Sequence, residues 1–188
     1  MANQRHLDVL RKGAEVWNEW RNQHPSILPD LNEADLTRAN LRECNLNHAY
    51  LSGADLARAD LTRAQLQMAG LDEAILTYAD LSNVKCGWTS FTEANLVNAD
   101  LSRAQLDRTF LNRATLSGAS LNEASLVNAN LFKANLFQTS LFGADLSKAN
   151  LSRATNLTQE QIGRAKGDEH TKLPVHLKRP AAWSRSVE

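Results

Sequence analysis

Residues 124–136 read ASLVNANLFKANL: Ala, a small polar residue and Leu, three times over, with two variable residues between one block and the next. The same spacing extends in both directions. From Leu31 to Leu151 every fifth residue gives 25 positions, of which 23 are Leu and the exceptions are Cys86 and Phe91. Two residues before each of these, from Ala34 to Ala149, 19 of 24 positions are Ala; the others are Cys44, Val84, Thr89, Thr109 and Thr139. The unit A-(D/N/S/T)-L-x-x stands undiluted at Ala34-Asp35-Leu36, Ala54-Asp55-Leu56 and Ala129-Asn130-Leu131.

Ala and Leu favour a helix by propensity, but the period forbids one. Five residues at about 100° each carry successive leucines about 140° around a helix, and no apolar face forms. A straight strand fails as well, because five is odd and a period of two sends alternate leucines to opposite faces. The chain must turn once per unit. Ala and Leu, two apart, lie on the same side of a short extended segment, and the two remaining residues make the corner. Asn, Asp, Ser and Thr recur beside the Leu, where short polar side chains bond to the backbone at a bend. A chain that turns the same way at every corner becomes a coil whose stacked turns pair as parallel strands about 4.8 Å apart.

These A(D/N)LXX tandems, from residue 31 to about 155, resemble the pentapeptide-repeat proteins. The resemblance implies an all-β solenoid, a right-handed four-sided parallel β-helix with twenty residues per coil and about six coils. Around it the sequence predicts an N-terminal capping helix within residues 1–30, the repeat over 31–155, and a short C-terminal helix with an extended tail over 156–188. Leu7, Leu10, Ala14, Trp17 and Trp20 recur at three- and four-residue spacing, the mark of one amphipathic helix over 3–22, before Pro25 and Pro29. A capping-box pattern at Thr158-Gln159-Glu160-Gln161 opens the second helix, with a stop at Gly167. The paired Trp and a tail of the form LTQEQI…GDE-T-LP-L-RP-W look like the flanks of cyanobacterial pentapeptide-repeat proteins. Both flanks have a physical task, since a solenoid ends in open strand edges and an exposed apolar plug.

In a chain of 188 residues, 21 Lys+Arg balance 21 Asp+Glu, so global charge points to neither direct nucleic-acid binding nor an acidic partner-mimic. No apolar run approaches the roughly 18–20 residues that span a bilayer, and MANQRHLDVL lacks a signal-like apolar stretch. The expectation is a cytoplasmic protein without membrane contact. Two cysteines make no disulfide framework, and no Cys/His spacing matches a zinc site. Five scattered histidines pair with no nucleophile, and a convex prism offers no cleft. No enzyme, cofactor or metal is expected.

Twenty-residue stacking turns the sequence into surface columns. Repeat discipline breaks at Val84-Lys85-Cys86-Gly87-Trp88-Thr89-Ser90-Phe91. The register puts His48, Met68, Trp88 and Arg108 in one corner column, with Tyr50, Gly70, Ser90 and Phe110 two residues further on. Trp, Tyr, Met and Arg are enriched where proteins bind one another. His48, Met68, Trp88, Arg108, Tyr50 and Phe110 are therefore the candidate partner-binding residues of a non-enzymatic module that binds another protein through a coil face. A second column, Asp60, Asp80 and Asp100, reads as backbone-capping residues or as an anionic ladder. The ladder bears on the alternative function, since the best-known role in the family is binding a type II topoisomerase as a DNA mimic. Residues 31–155 carry 13 acidic and 11 basic residues, a net of −2, whereas such mimics look strongly acidic along one face. Phe132, Phe137 and Phe142 form an apolar belt expected to lie under the C-terminal tail, through Leu173, Leu177 and Trp183, leaving a monomer rather than a homodimer.

Overall fold

The computed structural model describes residues 1–184. From Asp30 to Thr155 the backbone forms single-residue parallel bridges between positions twenty apart, as in Asp60↔Asp80↔Asp100↔Ser120 and Tyr50↔Gly70↔Ser90↔Phe110. Each coil thus has four five-residue sides. The extended part of a side is too short for a continuous strand, so the sheet is a ladder of isolated bridges. Three backbone bonds join one side to the next coil, for example Leu81 N to Asp100 O (2.7 Å), Asn83 N to Ser102 O (3.0 Å) and Asp100 N to Ala79 O (2.9 Å). The corner is closed by the Ala amide donating to the Leu carbonyl three residues earlier, as in Ala79 N to Leu76 O at 3.1 Å. Its second central residue is left-handed, with φ 59° at His48 and 62° at Trp88.

Both members of the repeat point inward, where Leu46, Leu66, Leu106 and Leu126 and the intervening alanines are fully buried. Each buried Leu contributes about 1.5–3 kcal/mol of transfer free energy. Outside, the residue before the Leu caps the following bend with its side chain, as Asp80 Oδ1 accepts from Ser82 N at 2.9 Å and Asn130 Oδ1 from Phe132 N at 3.2 Å. Leu/Ala-rich composition therefore yields a dry core, and the polar residue beside each Leu supplies the backbone partner at the corner.

The N-terminal cap differs from the single helix expected over 3–22. It is two helices, α1 (Gln4–Leu10) and α2 (Ala14–Gln23). Gly13, at φ 98°, takes a backbone that a helix interior cannot accommodate, and the chain folds there. Side chains of α2 then satisfy the open edge of the first coil. Trp17 is fully buried and donates Nε1–H to Asn45 O at 2.8 Å; Asn18 donates to Glu43 O at 3.0 Å and accepts from Asn45 N at 2.7 Å. Arg21, whose pKa burial pushes down, donates to Ile27 O and Asn47 O.

At the other end, α3 (Gln159–Gly163) stands in for one side of the last coil and carries the Thr158/Gln161 capping box. Gln161 Nε2 donates to both Leu136 O and Thr139 O at 2.8 Å, and Ile162 plugs the core. The helix stops at Gly163, not at Gly167. Gly167 has another use: a Cβ there would lie 2.6 Å from the Trp183 ring, so only glycine lets the tail seat. Trp183 itself donates Nε1–H to Ala165 O at 3.0 Å.

The described part of the tail, to residue 184, does not cover the phenylalanine belt. Phe137 and Phe142 are 51% and 61% exposed, and Phe132 is half-buried with Lys133 Nζ and Arg153 Cζ 5.4 and 5.9 Å from its ring centre. The physical reason is demand elsewhere: Leu173, Leu177 and Trp183 pack on the end of the prism, where the apolar core would otherwise meet water. Among the described residues no helix is long and apolar enough to cross a membrane.

Candidate functional site

The break in the repeat is first a repacking of the core. Phe91 occupies a Leu position with no exposure, and the smaller Cys86 and Thr89 stand beside it in Leu and Ala positions, also fully buried. A larger side chain is accommodated by smaller neighbours, the volume compensation that a close-packed interior requires. The Thr89 hydroxyl, polar in an apolar core, donates to Leu66 O one coil below. Inward, then, the departure closes on itself. Outward, it leaves Gly87 and Trp88 at a corner.

Trp88 is 48% exposed, and Arg108, one coil above, places its guanidinium 5.0 Å from the ring centre. The stack holds the indole upright at the corner. Met68, 56% exposed, lies one coil below, its backbone joined to this coil by Met68 N to Gly87 O at 3.0 Å. His48 is exposed one coil further down. Across the adjoining face run Tyr50 (47% exposed), Gly70, Ser90 and Phe110 (40% exposed), bridged in that order. The coil brings Trp88, Arg108 and Met68 into one continuous column with Phe110 beside it. Tyr50 sits three coil steps from Phe110 and does not touch it. A shallow groove of about 440 Å³ runs up from Trp88 and is lined by Gly87, Asp107, Arg108, Ser125, Val127 and Asn128. No described segment of either terminus lies over Trp88.

The acidic column looks different once its bonds are drawn. Asp60, Asp80 and Asp100 each accept from the amide two residues on, at Thr62, Ser82 and Ser102. Burial pushes the Asp60 carboxyl up, but the Thr62 hydrogen bonding and the Arg42 guanidinium at 3.3 Å outweigh it and hold the pKa below its ordinary value. Basic residues flank the column. Arg38 and Arg58 stand at one corner, and at the other Arg63 pairs with Glu43 at 3.5 Å and Arg103 with Glu123 at 2.9 Å. The three carboxylates lie within a face whose charges cancel, with no continuous negative stripe.

Tyr78 was not singled out in the sequence. It is 59% exposed at another corner, with Arg58 Cζ 5.6 Å from its ring centre. The signal was available, since Arg58 and Tyr78 are twenty apart at the second corner position, as are Trp88 and Arg108. Among the described residues there is no cluster of His, Cys, Asp and Glu that could hold a metal.

The sequence profile of the family described as Pentapeptide repeats matches in eight copies that together run from residue 30 to residue 158, well over half of the chain. This chain is a pentapeptide-repeat protein. Membership implies the right-handed quadrilateral β-helix whose twenty-residue coil is described above. Among solved structures, HetL, a pentapeptide repeat protein involved in heterocyst differentiation regulation from the cyanobacterium Nostoc sp. strain PCC 7120, is 33% identical, over 77% of this chain and 74% of its own, with a TM-score of 0.43. The pentapeptide repeat protein Rfr23 from the cyanobacterium Cyanothece 51142 is 36% identical over 53% of this chain and 63% of its own, with a TM-score of 0.44. Trypsin-treated QnrB1, a plasmid-mediated fluoroquinolone resistance protein, is 17% identical over 76% of this chain and 77% of its own, with a TM-score of 0.62, a likeness of fold. No curated protein sequence matches the chain.

Proposed function

We propose that this pentapeptide-repeat protein is a non-enzymatic interaction module in which the capped prism presents a rigid corner, centred on Trp88, to another protein. The observation that supports this reading most is the 48% exposed Trp88 held upright by Arg108 on a backbone braced from above and below. A large amphipathic ring fixed before binding loses little freedom on association, which is how a few side chains come to dominate an interface. Met68 and Phe110 extend the apolar contact, and His48 and Tyr50 lie at its rim. The competing function, a DNA-mimicking regulator of a type II topoisomerase, would act through Asp60, Asp80 and Asp100, of which Asp60 pairs with Arg42 and all three share their face with balancing arginines. Affinity capture with the full chain separates the two. Trp88→Ala should lose the partner while the triple change of Asp60, Asp80 and Asp100 to Asn retains it. The reverse pattern would transfer the function to the ladder.

A further inference from the structure

Charge is sorted along one corner of the prism and nowhere else so completely. The exposed column at the far edge of the Tyr50–Phe110 face reads, from the first coil upward, Glu33, Gly53, Glu73, Glu93, Arg113, Lys133, Arg153. Every acid is below and every base above. Across the same face Asp30 and Asp72 add to the acidic half and Arg108 and Lys148 to the basic half, with Asp107, beside Arg108, the one acid among the bases. Among the described residues of this column only Glu93 and Arg113, at the junction, pair with each other (2.8 Å), and Glu33 lies 3.8 Å from the terminal ammonium. The other corners differ. One runs Glu43, Arg63, Asn83, Arg103, Glu123, symmetric about its middle, and another carries Arg38 and Arg58 followed by neutral residues.

A face with this pattern is complementary to itself turned end over end. We propose that the Tyr50–Phe110 face takes a second copy of this chain, packed antiparallel about a two-fold axis that lies in the interface at right angles to the solenoid. Such an axis keeps each column opposite its own counterpart and reverses its direction, so acids meet bases. A two-fold along the solenoid would set like charges together, which excludes the parallel pair. With the axis between the coils of Glu93 and Arg113, Glu93 faces the partner's Arg113 and Glu73 faces the partner's Lys133. Phe110 then lies within about one coil spacing of the axis, roughly 4.8 Å, so the two phenyl rings meet at the centre of the interface. The monomer expected from the sequence rested on a covered phenylalanine belt; Phe137 and Phe142 are exposed away from the interface proposed here, and half-buried Phe132, beside Lys133, borders it. The inference rests on the reading of this face as an interaction surface and names one partner for it. Self-association would cover Trp88 and so compete with any other protein for the corner.

Two charge-inverted variants test this. Arg113→Glu with Lys133→Glu leaves Arg153 as the one base of the column, and Glu73→Lys with Glu93→Lys leaves Glu33 as its one acid. Both exchanges place residue types that this corner already carries at the same left-handed backbone. By sedimentation velocity the wild-type chain should dimerise, with its dissociation constant rising at least tenfold between about 0.05 M and about 0.5 M salt. Each variant alone should be monomeric, and their mixture should dimerise again. A wild type that stays monomeric at low salt, a single variant that still dimerises, or a folded mixture that does not associate would overturn the proposal. If either variant fails to fold by circular dichroism, carbodiimide cross-linking of the wild type decides. An intermolecular Glu73–Lys133 link supports the antiparallel pair, and a set of intermolecular links lacking it contradicts the pair. None of the four exchanged residues belongs to the Trp88 corner. Loss of partner capture by Trp88→Ala with no self-association would therefore remove this inference and leave the functional reading, and the opposite result would do the reverse.

Discussion

At each of the 25 corners from residue 33 to residue 153 the second corner residue takes a left-handed φ, between 54° and 62° where it is not glycine. That conformation is expensive for a β-branched side chain. Only three of these positions are Gly, and none of the other 22 is Val, Ile or Thr, whereas the position before accepts Thr62, Val97 and Val127. Asn128→Val should therefore cost on the order of 1–2 kcal/mol in urea unfolding, and Asn128→Gly should change little. Inside the coil, Leu81→Ala or Leu101→Ala should cost about 2–5 kcal/mol through the cavity each leaves. Equal, small losses from the core and corner substitutions would contradict the inward assignment. Cys44 and Cys86 are free and buried; burial pushes the Cys44 thiol up to about 12 and raises Cys86 as well. Because the thiolate is the reactive form, both should resist alkylation at neutral pH and react once urea unfolds the coil. Rapid labelling of the native protein would show that the core is open. The inward Leu and Ala were legible in the sequence because their period allows one arrangement. The left-handed corners were not read from it, since the absence of a residue class is a fainter signal than the presence of Leu.

The caps are where element-level reading and structure part. The amphipathic pattern over residues 3–22 is genuine, but periodicity counts apolar residues and overlooks one glycine that breaks the backbone between α1 and α2. Arg21 sits on what reads as the polar face and is buried, because the first coil's carbonyls needed donors. The C-terminal tail was assigned to the wrong surface for a similar reason: aromatic residues near the end of a chain do not say which apolar surface they cover. Two outcomes follow from its actual seat. Gly167→Ala drives a methyl into the Trp183 ring and should lower the melting temperature and shift Trp fluorescence; an unchanged spectrum would mean that the ring is not packed there. Asp168 accepts from Lys148 N, His170 N and the Thr171 hydroxyl. Burial raises its pKa, but these hydrogen bonds outweigh burial and hold the carboxyl below its ordinary value of 3.8. Its contribution is complete above that value and is lost as pH falls through the lower, folded value. Acid should loosen the C-terminal cap of the wild type below about pH 4, and Asp168→Asn should flatten that dependence in amide exchange.

For the whole molecule, a ladder of short bridges joining each coil to the next makes a stiff rod on which the column a residue occupies follows from its number. That is why the Trp88–Met68–Arg108 column could be read from the sequence, while the Arg108 stack, the neutral setting of the aspartates and the uncovered phenylalanines required side-chain positions. The central claim is that Trp88 serves a partner and not the fold. Its most direct test is to measure thermal unfolding and partner affinity side by side for Trp88→Ala. An exposed indole with a cation–π neighbour should contribute no more than about 1 kcal/mol to stability, while its loss from an interface should cost roughly 2 kcal/mol, near a thirtyfold fall in affinity. A melting temperature that drops as far as that of Leu101→Ala, with affinity intact, would show that Trp88 holds the solenoid together and binds nothing.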